Sequence, residues 1–292
     1  MKRLIILIIA LLSGMIYAQT DSLQEYPSAR KIKPVVYSKI LKQINEFTYS
    51  YKVLNMSEAE QEIWKFYIEA KVDSFNIIAP TGWYSRKLNK LNLIAASWAS
   101  LDSMKDIFPG TRKDNFVIKS KGLPGIVNFF AIGYIDAQFD EGTEFKKSTT
   151  GIFNNSVKGY TIGPSTPPSP FLPLSFLDTL TSYKHQAVRL DWLIDKKEEK
   201  KDEDDEEKED GIVAKLDKRL VKAKTALMKG DSVKAREEVE KFVKKVVKLY
   251  KESQNHEEEK EEKKLVMSNE AYALLKFNAE YLIERLQKKR GK

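Results

Sequence analysis

The stretch EFTYSYKVLN, residues 46–55, alternates apolar and polar side chains with a period of two. Its apolar positions are aromatic or β-branched, and threonine, serine and lysine stand between them. This alternation is typical of a β-strand that has one buried face and one face toward solvent. The stretch therefore predicts a half-buried strand with Phe47, Tyr49, Tyr51 and Val53 on its buried face.

Similar short runs follow along the chain, and turn residues such as APTGW, FPG and KGLPG separate them. Residues 20–45 are polar with short apolar groups, so they fit either an opening strand or a short helix. Six or seven short strands with turns between them predict an antiparallel β-sandwich over residues 19–162. The later runs are EIWKFYIEA, SFNIIAP, LIAASWAS, NFVIKS and GIVNFFAIGYIDA.

A proline-rich segment, GPSTPPSPFLP at residues 163–173, follows the predicted strands. Proline fixes φ and lacks an N–H, so this segment predicts an extended and fairly stiff linker. After the linker the apolar period changes to 3.6 residues, which indicates helices. We therefore expect an α+β multidomain chain in which a bundle of about four helices occupies residues 174–288.

Capping residues define the expected helices. Ser175 and Asp178 resemble a capping box at the start of the first helix, Gly230 ends the second, and Asp231 caps the third. Ser268 is the expected cap of the fourth. The predicted spans are about 175–193, 211–229, 232–252 and 269–286.

Asn278 interrupts the apolar face of the last predicted helix, NEAYALLKFNAEYLIERL. A buried amide without a partner costs about 1–3 kcal/mol, so it needs a hydrogen bond. We expect Asn278 to be buried and bonded within the bundle, for example at the 229–232 turn, where it would set helix register. Contact with a ligand is the alternative.

Two charged inserts interrupt the predicted bundle, KKEEKKDEDDEEKED at 196–210 and KESQNHEEEKEEKK at 251–264. Neither contains an apolar residue to bury. They are expected to be solvated helical extensions or disordered loops. The acidic run at 202–211 also lacks the ligand spacing and central glycine of a calcium-binding loop.

The N-terminus has the pattern of a secretory signal peptide. MKR is a short basic region, LIILIIALLSGMI is an apolar core, and Ala18 offers a small residue for cleavage. We expect residues 1–18 to be removed, which leaves a secreted, periplasmic or cell-surface protein with no membrane span. An uncleaved anchor is the alternative. The chain has no cysteine, so its domains must be stable without disulfides.

The 112 residues from Ser175 to Leu286 resemble the FIMAH-type helical domain found at the C-termini of secreted bacterial proteins. The similarity is carried by LDTLTSYKHQAVRLDWL, GIVAKLDKRLVKAKTALMKGDSVKAREEVEKFVKKV and SNEAYALLKFNAEYLIERL. The charged inserts and Val239 depart from the family pattern. The N-terminal region is similar to immunoglobulin-like β-sandwich domains of secreted bacterial proteins. The helical resemblance implies an accessory module of the kind attached to extracellular enzymes or adhesins, and neither resemblance implies catalytic residues.

Few residues point to a reaction. The two histidines, His185 and His256, stand apart and no cysteine accompanies them, so we expect no metal site and no cofactor. Sequence motifs for a nucleophilic serine or a phosphate-binding loop are absent. Carboxylates that could act as an acid and a base in a glycosidase are Asp102, Asp106, Asp136, Asp140, Glu141 and Glu144.

Aromatic residues of the predicted sandwich are the candidate binding residues. Trp83, Tyr84 and Trp98 could stack on sugar rings if they are exposed, and packing in the core is the alternative. The formal net charge of +8 comes from basic residues interleaved with acidic ones, which does not indicate nucleic-acid binding.

The sequence therefore predicts an exported, non-catalytic protein whose β-sandwich binds an extracellular glycan or a surface protein, with the helices as an accessory module. The alternative is a small extracellular polysaccharide-active enzyme that uses paired carboxylates on the sandwich.

Overall fold

The computed structural model describes residues 28–90, 93–135, 155–195, 211–255 and 266–287. The predicted signal peptide 1–18, the insert 196–210 and most of the insert 251–264 lie outside these residues. The described residues contain nine strands. They are β1 (Pro34–Lys42), β2 (Phe47–Asn55), β3 (Ile63–Glu69), β4 (Asn76–Ile78), β5 (Trp83–Lys90), β6 (Leu93–Ser100), β7 (Arg112–Ser120), β8 (Leu123–Gly133) and β9 (Val157–Ser165).

The strands form two antiparallel sheets, one with the order β1-β2-β7-β4 and one with the order β5-β6-β3-β8-β9. The strand that contains EFTYSYKVLN lies inside the first sheet, between β1 and β7. Every second residue of β2 from Phe47 to Asn55 is buried, as its alternation predicts.

Aromatic rings fill the space between the sheets. Phe66 of β3 lies parallel to Trp98 of β6, with ring centroids 5.7 Å apart, and Phe116 of β7 lies 5.3 Å from Phe66. Tyr51 packs edge-on against Trp98 from the opposite sheet. The inward alternation of each strand thus places large apolar side chains face to face across the sandwich.

Two of the nine strands, β5 and β9, are not among the strands predicted from the sequence. Both are edge strands of the larger sheet. The strand β5 carries exposed Arg86 and Lys87, a composition that protects an open edge from pairing with other chains. The strand β9 contains Gly163 and Pro164, residues that resemble turn chemistry in sequence. A Cβ at Gly163 would lie 2.6 Å from Val127, so close strand packing requires glycine there.

Four helices follow in the described part of the chain, and the predicted fold class, an antiparallel sandwich joined to a helical bundle, is confirmed. None of these described helices combines the length and the apolar composition needed to span a bilayer. Their bounds are α1 (Pro173–Arg189), α2 (Ile212–Met228), α3 (Ser232–Asn255) and α4 (Asn269–Gln287).

The ends of the helices agree with the expected caps except at α1. Gly230 follows α2 with φ at +75°, a conformation that glycine adopts without strain. Asp231 accepts a hydrogen bond from the backbone N–H of Lys234 at 2.9 Å. The expected capping box at Ser175 is wrong, because α1 begins at Pro173, which needs no N–H donor in the first turn.

The connection between the sandwich and the helices is shorter than the predicted linker 163–173. Residues 163–165 are the end of β9, where they pair with β8, and Pro173 is already helical. Residues 166–172 therefore make the connection. Three residues of the predicted linker belong to the sheet because an edge strand tolerates proline.

The bundle packs directly against the sandwich through α4. The Glu270 carboxylate accepts hydrogen bonds from the Ser38 N–H at 2.6 Å and the Ser38 hydroxyl at 3.2 Å. Phe277 contacts Phe47 edge-on, with ring centroids 5.4 Å apart. Since Ser38 lies on the edge strand β1, Glu270 satisfies a donor that would otherwise be left unpaired.

Candidate functional site

Two of the three predicted binding aromatics are core residues. Trp98 has no exposed surface, and its indole N–H donates to the Ile78 carbonyl at 3.0 Å. Trp83 is 5% exposed, and its indole N–H donates to the Lys105 carbonyl at 3.0 Å. The expectation that these two rings offer a stacking surface for sugars is therefore wrong. Both side chains point into the sandwich, where their rings pack against Phe116.

Tyr84 is exposed on β5, where it pairs with Ala99 of β6. Its neighbours Trp83 and Ser85 point toward the opposite side of the sheet because side chains alternate along a strand. Tyr84 therefore stands alone among the three predicted binding residues.

A different part of the sandwich exposes large apolar side chains together. We name it the loop tip and define it as residues 56–62, 79–82 and 101–111, the loops at the end where β2 stops at Asn55. The helices contact the other end of β2, at Phe47. Eight residue steps at about 3.4 Å separate these ends by roughly 27 Å.

Asn55 joins the loops of the tip. This side chain is fully buried, and its Nδ2 donates to the carbonyl oxygens of Gln61 at 2.8 Å and Ile107 at 3.1 Å. Its Oδ1 accepts the backbone N–H of Lys33 at 3.0 Å. One side chain thus fixes three backbone segments. Sequence reasoning missed Asn55 because nothing local distinguishes it from an ordinary strand-ending asparagine.

Further hydrogen bonds tie the remaining loops of the tip to one another. The N–H of Gly110 donates to the Asn55 carbonyl at 2.8 Å, and the N–H of Leu101 donates to the Gly82 carbonyl at 3.1 Å. A short 3₁₀-helix spans Ser103–Lys105, and the Asp102 side chain accepts from the Met104 N–H at its start. Backbone hydrogen bonds and the Asn55 side chain therefore hold the loops in place, and the buried side chain of Ile107 anchors the last loop in the core.

Four other apolar side chains of the loop tip face solvent. Leu101 is 72% exposed, Met104 is 78% exposed and Phe108 is 41% exposed, and Met56 on the neighbouring loop is also exposed. Soluble proteins expose single apolar residues commonly, but a group of them on joined loops is a mark of an interaction surface. The sequence signal was present in LDSMKDIFPG, where apolar residues occur in a turn region without a strand or helix period.

The tip also contains the described carboxylates from the enzyme alternative, Asp102 and Asp106. The pKa of Asp106 is raised, mainly because the carboxyl group is buried. A hydrogen bond with the Ser100 hydroxyl lowers this pKa, whereas the negative charges of Glu62 and Asp102 raise it further. The candidates Asp136, Asp140, Glu141 and Glu144 lie outside the described residues.

In the described ranges, no group of three Asp, Glu or His side chains is placed to hold a metal ion. His185 is on the exposed side of α1, with Nε2 4.0 Å from Asp217. His256 lies outside the described residues.

Asn278 is buried, but its partners differ from those expected. Its Nδ2 donates to the Leu274 carbonyl of its own helix at 2.7 Å and to the Pro124 carbonyl of β8 at 2.8 Å. The proposed partner at the 229–232 turn is wrong. The amide ties the last helix to the sandwich instead of to its neighbours in the bundle.

No protein-family model matches the sequence, and no curated protein matches it. Among solved structures, the chain is similar to an uncharacterized protein from Nocardia farcinica described as having an immunoglobulin-like fold, at 12% identity and a TM-score of 0.28. That match covers 45% of this chain and 98% of the other. A structure from Hungateiclostridium clariflavum described as a unique CBM3 is similar at 12% identity and a TM-score of 0.23, covering 47% of this chain and 99% of that one.

Proposed function

We propose that the protein is exported and non-catalytic, and that its loop tip binds a protein on a cell surface or in the extracellular space. The group of exposed apolar side chains formed by Met56, Leu101, Met104 and Phe108 carries this proposal. Methionine, leucine and phenylalanine lose water favourably against another apolar surface, so they suit a protein partner better than a hydroxyl-rich glycan.

Export rests on the N-terminal sequence, where a basic segment, an apolar core and Ala18 have the order of a cleaved signal. The helical region is proposed as an accessory module of the FIMAH type on sequence resemblance. The helices pack against the end of the sandwich opposite the loop tip, at Phe47. The loops of the tip therefore stay accessible to a partner.

The test compares two double variants that remove equal kinds of exposed apolar surface. Leu101→Ser with Met104→Ser alters the tip, and Val221→Ser with Met228→Ser alters the exposed side of α2. Each variant is purified from the secreted or periplasmic fraction, where the mature chain is expected to begin at Gln19. Its binding is then measured to intact cells of the source strain in which the gene for this protein has been deleted. We expect the tip variant to bind at least about tenfold more weakly, since each fully buried apolar side chain contributes about 1.5–3 kcal/mol.

The control variant should bind like the wild type, and both variants should unfold at the same denaturant concentration as the wild type. Equal binding by the tip variant would refute the tip as the binding surface. Recovery of the protein only from the cytoplasm, with Met1 retained, would refute export.

A second candidate function is hydrolysis of an extracellular polysaccharide, and the raised pKa of Asp106 favours it. A carboxyl group whose pKa is raised by burial is better suited to act as a general acid, with a neighbouring carboxylate such as Asp102 or Glu62 as its partner. If this function is correct, the protein releases reducing ends from a polysaccharide and Asp106→Asn lowers the rate at least about 100-fold. Equal rates for Asp106→Asn and the wild type would assign the released sugar to a contaminant.

A further inference from the structure

A small cavity lies where the sandwich meets the bundle, far from the loop tip. We name it the junction cavity. Its volume is about 190 Å³, and it is bounded by the start of β8, the chain that leaves β9, α1 and α4. Both modules contribute to its wall, so the cavity exists only because the helices dock on the sandwich. Its wall includes Pro124, Ser165, Phe176, Tyr183 and Asn278.

Asn278 presents a hydrogen-bond acceptor at the cavity. The side chain is 2% exposed, and both of its hydrogen bonds use Nδ2 as the donor to carbonyl oxygens. This pair of carbonyl partners also settles which end of the amide is nitrogen. Neither of these two hydrogen bonds uses Oδ1, and Asn278 lines the cavity. A ligand in the cavity can therefore donate a hydrogen bond to this amide oxygen.

Tyr183 presents a hydroxyl group at the same cavity. A Cβ at Gly125 would lie 3.4 Å from the Tyr183 Oη and 2.8 Å from the Ser165 Cβ, so both residues approach the β8 backbone closely because residue 125 is glycine. The Tyr183 hydroxyl makes no hydrogen bond to another described residue. Burial raises the pKa of Tyr183, so the hydroxyl stays protonated and can donate as well as accept.

The remaining wall is uncharged. Among the residues that the structure describes, no Asp, Glu, Lys, Arg or His lines the junction cavity, and the rings of Phe176 and Pro124 supply apolar surface. A charged ligand would lose its water without meeting an opposite charge, which is costly. The volume is below the range of about 300–1,000 Å³ that holds drug-sized ligands, so only a ring-sized group fits.

We propose that the junction cavity binds one uncharged sugar residue. A pyranose ring offers hydroxyl donors for Asn278 Oδ1, acceptors for the Tyr183 and Ser165 hydroxyls, and a C–H face for the Phe176 ring. This site is separate from the loop tip and does not depend on the function proposed for it. A free monosaccharide and the terminal residue of a glycan both satisfy this chemistry, since the cavity accommodates one ring.

The test is ligand-observed NMR titration of the full mature chain with D-glucose, D-galactose, D-mannose and N-acetylglucosamine, with glucuronate and glucosamine as charged comparisons. At least one uncharged sugar should bind at up to about 50 mM, a range that detects millimolar dissociation constants. Each charged sugar should bind more weakly than its uncharged parent, because it would lose its water without meeting an opposite charge. Tyr183→Phe should weaken binding about five- to tenfold, because it deletes one hydrogen-bonding group.

Tyr160→Phe is the matched control, because Tyr160 is an exposed tyrosine on β9. It should leave the dissociation constant unchanged, and near-identical thermal unfolding of both variants verifies that the fold is retained. The proposal is overturned if no uncharged sugar binds the folded protein, if the charged sugars bind as well, or if Tyr183→Phe binds like the wild type.

Discussion

Asn55→Ala is expected to lower the free energy of unfolding by about 3 kcal/mol, a large effect for a polar residue. The substitution removes two donors and one acceptor at a site with no access to water. The carbonyl oxygens of Gln61 and Ile107 and the N–H of Lys33 then stay buried without the partner they had. Urea unfolding followed by tryptophan fluorescence measures the loss, because Trp83 and Trp98 are both buried in the sandwich.

Asn55→Asp separates the hydrogen bonds from simple loss of volume. It keeps an acceptor for the Lys33 N–H but sets a carboxylate oxygen against two carbonyl oxygens, so we expect a loss at neutral pH at least as large as for alanine. Protonation of the introduced carboxyl group restores one donor, so this loss should shrink as the pH falls. Asn89→Ala, at an exposed position on β5, is the control and should change stability by no more than about 0.5 kcal/mol. A loss below about 1 kcal/mol for Asn55→Ala would show that water replaces the missing bonds.

Strands and helices were predictable where one face is buried and the other is solvated. In β2 the alternation of aromatic and polar residues has only one arrangement that buries the aromatic side chains. The helices were predictable for the same reason at a period of 3.6. The edge strands β5 and β9 were harder, because an edge needs charge or proline more than it needs apolar residues, as Arg86 and Pro164 illustrate.

Partners across the two modules could not be predicted. Asn278 was recognisable as a buried amide because it interrupts an apolar face, yet its partner Pro124 is 154 residues away in the chain. Trp83 and Trp98 show a related difficulty, since a tryptophan in a strand packs inward or outward according to the register of that strand. The candidate sites were missed for this reason. The junction cavity arises from contacts between distant segments, and no local pattern marks it. The loop tip has a local signal in LDSMKDIFPG, but the loops that join it there come from distant parts of the chain.

The second large effect is expected inside the bundle, at the ion pair between Lys184 of α1 and Asp217 of α2. The Lys184 side chain has no exposed surface, and its ammonium group contacts Asp217 Oδ1, its one ionic partner among the described residues. Asp217 is about one-third exposed, with 33% of its side chain accessible. Asp217→Ala therefore leaves a buried positive charge without its counter-charge.

We expect Asp217→Ala to lower the free energy of unfolding by about 3 kcal/mol, the lower end for breaking a buried pair, because water can reach the vacated position from the exposed side. Lys184→Met removes the charge while it keeps most of the apolar volume, so its effect should stay within about 1 kcal/mol. The double variant should resemble Lys184→Met, since Asp217 is not needed once the buried charge is gone. This non-additivity in urea unfolding is the signature of direct coupling.

Asp178→Ala is the matched control, because Asp178 pairs with Lys224 between the same two helices at 2.7 Å while both side chains are about half exposed, at 52% and 46%. An exposed pair contributes about 0–1 kcal/mol, so this loss should be small. If Asp178→Ala and Asp217→Ala cost the same, burial of Lys184 has no energetic consequence and our interpretation of the pair is wrong. If Asp217→Ala costs far more, the excess measures what it takes to hold an unpaired ammonium group between α1 and α2. Lys184→Met, which removes the buried charge, would then retain a stability close to that of the wild type.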